Sequence, residues 1–274
     1  MTQWIAALPM YNVTPRHAAL WRALLRDALD AFENAGGPAH VALPDEPFDD
    51  LHALWRRDDL LLSQTCGYPY RMLGLRETVH LIATPVFDAE GCDGARYRSV
   101  LIVSARVHAG GATTLAACRG LRAAFNGGDS HSGMNALRHA VAPHAHNGRF
   151  FGSVTAFGSH LNVLRALASG DADCAAIDCV TFAYVRDALP DLLEEIRIIG
   201  TTASAPGLPF IATRALEETQ VAALRDALDR AVAADAERSR VLRLKGFERL
   251  LPDDYETIAR FAWKAAAHGY PELA

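Results

Sequence analysis

The chain has 274 residues, 50% of them apolar, and a formal net charge of -5. That length buries one large core or two moderate ones, and the charge supplies no basic field, so a nucleic-acid partner is not suggested and any anion site must be local. No apolar run nears the roughly 18 residues of a membrane span, which argues against membrane insertion.

Residues 4–9 read as a strand. Thr14 and Pro15 then mark a helix start, a hydroxyl cap followed by proline at the first helical position, and Trp21, Leu24, Leu25, Ala28, Leu29 and Phe32 recur on one face until Gly36 and Gly37. Residues 41–43 read as a short strand, 49–57 as a short helix, and 60–63 as a strand delivering Gln64, Thr65 and Cys66 to its C-terminal end. Ligands collect at the C-terminal ends of parallel strands, which makes Tyr11, Gln64, Tyr68 and Tyr70 candidate wall residues; half-buried packing is the alternative for the tyrosines.

Residues 79–87 and 99–104 are strand-like, with a glycine-containing loop between them that reads as the first crossing between two lobes. A short helix is expected at 114–118 and a strand at 121–126. A Gly127, Gly128 turn then leads through Ser130, His131, Ser132 and Gly133 into a helix to about Val141. The first turn of a helix has unpartnered N–H groups and the positive end of the macrodipole, so it suits an anion. Ser130 and Ser132 would add hydroxyl donors, or one of them serves only as the cap. Strands follow at 151–155, 174–177 and 196–201. Helices follow at 159–168, 179–188, 217–234, 236–244 and 253–267, and residues 208–212 re-enter the first lobe. Alternating strands and helices argue for α/β with mostly parallel sheets.

Several landmarks recur in a recognisable order: Ser130-x-Ser132-Gly133; Gly158, Ser159, His160; and Gly170, Asp171, Ala172, Asp173, Cys174, Ala175, Ala176, Ile177, Asp178. Cys66 to Tyr70, Tyr97 to Val100 and Ala205 to Pro209 accompany them. Together they resemble the phosphate/phosphonate-type substrate-binding proteins of ABC transporters over nearly the whole chain. The resemblance implies a type II periplasmic-binding-protein-like α/β fold, two lobes with a hinge, and a small anionic ligand in the cleft between them. It also implies an ABC permease with its ATPase as partner. Lobe 1 is expected over residues 1–90 and 205–274, and lobe 2, carrying the anion-binding helix start, over 91–204.

In related binders a histidine after Gly-Ser contacts the anion, and that role carries over to His160; the other reading is a helix-start histidine whose pKa the dipole depresses. His131 departs from the small hydroxyl residue usual in the motif and would narrow the pocket or add a bond. Asp178 would accept from the ligand or cap the helix that starts at Cys179. The expected ligand set is therefore Tyr11, Tyr68, Ser130, His131, Ser132, Gly133, His160 and Asp178. No second carboxylate stands beside Asp178, which favours an anion with a neutral or apolar tail over an aminoalkyl phosphonate.

No nucleotide-binding or nucleophile-elbow motif stands out, no cofactor is implied, and His144 with His146 lack further metal ligands. Five cysteines without a CxxC fit neither a disulfide framework nor a zinc site and read as buried free thiols. The first nine residues have neither basic region, full apolar core nor cleavage segment, so the chain as it stands reads as cytoplasmic, and as periplasmic if an export signal was removed. An enzyme on the same fold, with His131, His160 and Asp178 as acid/base groups, and a ligand sensor are the alternative functions.

Overall fold

Thr14 and Pro15 open the first long helix as their residue types predict. Thr14 Oγ1 accepts the His17 backbone N–H at 3.3 Å, Pro15 takes the first position, and the helix Pro15–Asn34 buries Trp21, Leu24, Leu25, Ala28, Leu29 and Phe32. That face packs on the helix Glu218–Ala234. The computed structural model of the chain describes residues 3–44, 48 and 50–274. Met1, Thr2 and the expected helix start at Asp49 lie outside the described residues; the helix itself is Leu51–Trp55, capped by Asp50 Oδ1 on the Ala53 N–H.

The chain divides into two compact units: Met1–Asp88, Asp93–Ala95 and Pro206–Tyr255 form the first; Ala89–Cys92, Arg96–Ala205 and Glu256–Ala274 form the second. The first holds a five-stranded sheet in the order Ile5–Ala7, Leu60–Gln64, Phe210–Thr213, Val79–Phe87, Leu244–Glu248. Ile5–Ala7 and Leu60–Gln64 are parallel, Phe210–Thr213 runs against both its neighbours, and Leu244–Glu248 runs against Val79–Phe87. The second unit's sheet has the order Ser153–Ala156, Arg122–Phe125, Cys174–Asp178, Ser99–Ser104, Ile196–Thr201. Its first three strands are parallel and Ser99–Ser104 is antiparallel to both neighbours.

Each sheet is thus mixed, its parallel strands interrupted by a reversed one, where mostly parallel sheets were expected. In both units a reversed strand is the first of the five-stranded sheet that the chain forms after arriving from the other unit, Ser99–Ser104 and Phe210–Thr213. A parallel neighbour needs a crossover that returns over the same sheet; a chain arriving from elsewhere is free of that requirement.

Three further expectations change. Residues 41–43 contribute only a bridge, Ile5 to Ala42. The helix expected over 236–244 stops at Val241, because Arg243 takes a left-handed conformation (φ +50°) and the chain turns into the strand Leu244–Glu248. The helix Glu256–Ala267 belongs to the second unit, whereas residues 205–274 were all expected in lobe 1.

Asn135 supplies the physical reason for this last change. Fully buried, it donates through Nδ2 to the Ile258 carbonyl at 3.0 Å and lies 3.1 Å from His131 Nδ1, while its Oδ1 accepts from Arg138 Nη2 at 2.9 Å. Phe261 stacks on His139 with ring centroids 4.2 Å apart, and Tyr270 joins the core formed by Leu101, Val103, Leu137 and Phe150. Asn135→Ala leaves three buried polar groups without this partner and is expected to destabilise the chain by ~2–4 kcal/mol. Urea unfolding measures it; an unchanged midpoint would remove Asn135 as the fastening.

Candidate functional site

Arg122–Phe125 and Ser153–Ala156 pair in parallel from Arg122 opposite Ser153 to Phe125 opposite Ala156. Their C-terminal ends therefore lie side by side, and the residues that follow, Asn126 on one and Phe157 to His160 on the other, emerge next to each other. Gly158 (φ +82°) makes the left-handed turn between strand and helix that a side chain disfavours. Ser159 then caps the helix His160–Ala168, its Oγ accepting the Asn162 N–H at 3.2 Å.

On the other branch, Ser130 caps the next helix by accepting the Gly133 N–H at 3.1 Å. That helix begins as a π turn, His131–Asn135, in which the Asn135 N–H reaches back to the Ser130 carbonyl at 3.1 Å, and continues as the α-helix Ala136–Val141. A π turn widens the first turn by one residue and is frequent at functional sites.

The two branches meet. Ser132 Oγ lies 2.8 Å from His160 Nε2, and a Cβ added to Gly133 would lie 2.0 Å from Asn126 Oδ1 and 3.2 Å from His160 Cε1. Glycine is required here by close approach rather than by backbone conformation. The Ser132 carbonyl is held by Ser99 Oγ at 2.9 Å, and the Ser99 N–H by Thr202 Oγ1 at 2.9 Å. Burial pushes the His160 ring down to about 4, so the imidazole is neutral at pH 7. Its Nδ1 is shut from solvent with no partner among the described residues, and so is Asn126 Oδ1. Buried polar atoms are normally satisfied, so each of these two calls for a partner from outside the fold. If the Ser132 hydroxyl donates to Nε2, the ring proton sits on Nδ1 as a free donor.

Among the expected ligand residues, the structure brings together Ser130, Ser132, Gly133 and His160. It turns His131 away, in departure from the expectation that this ring would narrow the pocket. Successive residues on a helix face different directions, and while Ser132 meets His160, the His131 ring packs at 5.3 Å from Phe261 and 6.2 Å from Tyr97, 2% exposed. Burial, with His139 as a lesser cause, pushes its pKa down to about 3. Asp178 ends its strand paired with Ser99 and uses Oδ1 to accept the Val180 and Thr181 N–H groups at 2.8 and 3.0 Å, the capping role. Tyr11 and Tyr68 lie in the first unit, Tyr11 with its ring against Trp21 and Phe87 and Tyr68 half-buried on the helix Gly67–Met72. Sequence reasoning did not single out Asn126, although a polar residue ending a strand before a Gly-Gly turn is a signal for the C-terminal edge of a sheet.

Among the described residues no cluster of three His, Cys, Asp or Glu side chains could hold a metal, and no helix is long and apolar enough to cross a membrane.

Residues 21–255 match the model of a family described as the ABC transporter, phosphonate, periplasmic substrate-binding protein. The chain belongs to that family. As a phosphonate-type solute-binding protein it shares the mixed α/β, two-lobe fold of solved periplasmic binding proteins. One is the binding-protein component of an ABC phosphonate transporter from Pseudomonas aeruginosa (17% identity, TM-score 0.76, covering 97% of this chain and 88% of that one). Another is PhnD1 from Prochlorococcus marinus in complex with methylphosphonate (17%, 0.72, 96% and 98%). A third is the alkanesulfonate-binding protein SsuA from Xanthomonas axonopodis pv. citri bound to MOPS (14%, 0.64, 98% and 94%). At these identities the likeness is one of fold. No curated protein sequence matches this solute-binding chain.

Proposed function

We propose that the chain captures a small anion with a tetrahedral headgroup, of the phosphonate class, and passes it to an ABC permease in the periplasm. The headgroup sits at the first turn, Ser130 to Gly133, with His160 facing it. The observation that carries this reading is the convergence on Gly133 of two polar side chains, Asn126 and His160, each with a buried atom that no group among the described residues satisfies. Ser130 and Ser132, the backbone N–H groups of the turn and the positive helix end complete a site that recognises an oxyanion by directed hydrogen bonds without a formal cation. An acceptor such as Asn126 Oδ1 beside an anion suits a protonated phosphonate oxygen. Asp178, already accepting two backbone N–H groups, is poorly placed to attract an ammonium group, which supports a neutral or apolar tail.

The 2.8 Å contact between Ser132 Oγ and His160 Nε2 has the dimensions of a nucleophile and its base. An imidazole held at about 4 is too weak a base at neutral pH, and His160 Nδ1 has no carboxylate to orient it. Both facts favour binding over turnover.

The test is calorimetric titration and thermal shift with methylphosphonate, phosphite, phosphate, sulfate and small carboxylates. A bound ligand at 100 times its Kd is expected to stabilise the fold by about 2.7 kcal/mol. Ser132→Ala is expected to weaken binding by ~1–3 kcal/mol with little change in stability. Ser130→Ala loses the cap as well, and its apo form is expected to be ~1 kcal/mol less stable. Absence of any shift with the tetrahedral anions, or unaltered affinity in both variants, would overturn the reading.

A further inference from the structure

All five cysteines are free in the structure, in line with their reading as thiols, yet four of them lie in two close pairs, Cys118 with Cys174, both buried, and Cys92 with Cys179. Cys92 Sγ lies 3.5 Å from Cys179 Sγ across a sequence separation of 87 residues. Cys179 is buried at the first position of the helix Cys179–Ala188, and Cys92 is half-exposed in the connecting segment Ala89–Cys92. Several contacts hold that segment against the helix. Gly91, at φ +99°, approaches so closely that a Cβ there would lie 3.1 Å from Cys179 Cβ. The Cys92 N–H closes a turn onto the Ala89 carbonyl at 2.9 Å, and the Glu90 carboxylate lies 3.7 Å from Arg186 further along the same helix.

We propose that Cys92 and Cys179 are a redox pair that closes to a disulfide outside a reducing cytoplasm, stapling the connecting segment to the helix that Asp178 caps. The family is periplasmic, and disulfides form and persist in that compartment. The sulfurs must approach by about 1.5 Å to reach a bond of about 2.05 Å, a displacement that side-chain rotation on the half-exposed Cys92 supplies.

The oxidant is a disulfide, either small or carried by a thiol–disulfide exchange protein. The Cys92 thiolate attacks one of its sulfurs, forming a mixed disulfide and releasing one thiol. Cys179 then gives up its proton and attacks Cys92 Sγ; the intramolecular S–S bond forms and the second thiol leaves. Two electrons pass from the two cysteine sulfurs to the external disulfide, which is reduced to two thiols. The contact with Cys92, together with burial, holds the Cys179 thiol far above its usual range, so it is inert until Cys92 carries a mixed disulfide. Asp88 on one side of the segment and Asp93–Ala95 on the other belong to the first unit, so the staple restrains a stretch through which the chain passes between units.

The test treats the folded chain with oxidised glutathione, unfolds it without reductant and labels it with N-ethylmaleimide. The expected result is an intact mass lower by two hydrogen atoms, three labels instead of the five of the reduced chain, and a linked peptide pair containing Cys92 and Cys179. Oxidised protein is expected to melt ~5 °C or more above reduced protein, since the bond closes a long loop. Cys92→Ser is expected to take four labels, one for each remaining cysteine, and to melt alike in both conditions. Five labels after oxidation, a link through Cys66, Cys118 or Cys174, or a dimer joined through Cys92 would overturn the pairing. None of these readouts depends on the ligand.

Discussion

Replacing Gly133 with alanine is expected to lower affinity for methylphosphonate by at least ~100-fold, or ~2.7 kcal/mol. The added methyl would lie 2.0 Å from Asn126 Oδ1, 3.0 Å from Asn126 Cγ and 3.2 Å from His160 Cε1, well inside ordinary contact. Asn126 must swing away, and the carbon then occupies the space where Asn126 and the His160 edge converge. A headgroup held at this turn would lose both its room and its partners. The fold suffers less, ~1–3 kcal/mol, because the clash falls on a side chain that is only half-buried. Gly128→Ala in the preceding turn is the control: nothing lies within 4 Å of its would-be Cβ, so affinity is expected to stay within about two-fold of the original. Calorimetric titration of both variants decides the matter, and a Gly133→Ala protein that binds like its parent would move the ligand elsewhere.

Acid is expected to destabilise the chain well above the pH at which carboxylates titrate. His131 and His160 are held neutral, with pKa values of about 3 and about 4 against an ordinary 6.5. A depressed folded-state pKa means that the unfolded chain binds the proton first. The stability is therefore fully present above about pH 6.5 and drains away as pH falls toward the folded values. Each histidine contributes a slope of up to ~1.4 kcal/mol per pH unit once the unfolded ring is protonated, so the pair costs ~3 kcal/mol between pH 6.5 and 5.

At His131 the cause is visible in the packing. Phe261 and Tyr97 flank the ring, His139 lies nearby, and Asn135 Nδ2 points an N–H at Nδ1, the atom that would have to accept the extra proton. His139 is shifted the same way, chiefly by burial and then by Lys264 and His268. His131→Phe is expected to start ~1–3 kcal/mol less stable at pH 7.5, because Asn135 loses an acceptor, and to fall about half as steeply on acidification. Urea melts between pH 7.5 and 4.5 measure both slopes. Parallel profiles for variant and parent would exclude His131 as a source of the acid sensitivity.

Much of this fold could be read from local chemistry. Thr14 with Pro15, Ser159 and Asp178 cap the helices that their residue types announce, and the apolar runs Val79–Phe87 and Ser99–Ser104 are strands from end to end. Ser130, Ser132, Gly133 and His160 lie close together in the structure. What local pattern could not carry was direction and partnership. His131 and Ser132 are adjacent in the chain, yet a π turn sends one ring into the core and the other side chain to His160. The helix expected over 236–244 overruns its end, because the left-handed Arg243 turns the chain and residues 244–248 pair as a strand on the edge of Val79–Phe87. The allegiance of Glu256–Ala267 rests on Asn135, 123 residues away from the carbonyl it holds.

That last attachment bears on the order in which a growing chain can fold. The first unit's sheet is completed by Leu244–Glu248, and the second unit's core waits for Phe261 and Tyr270. Neither unit can close while the ribosome still holds those segments, so a nascent chain emerging from Ile5 onward has no finished domain to commit to. Folding of both units is deferred until residues 244–270 have been made.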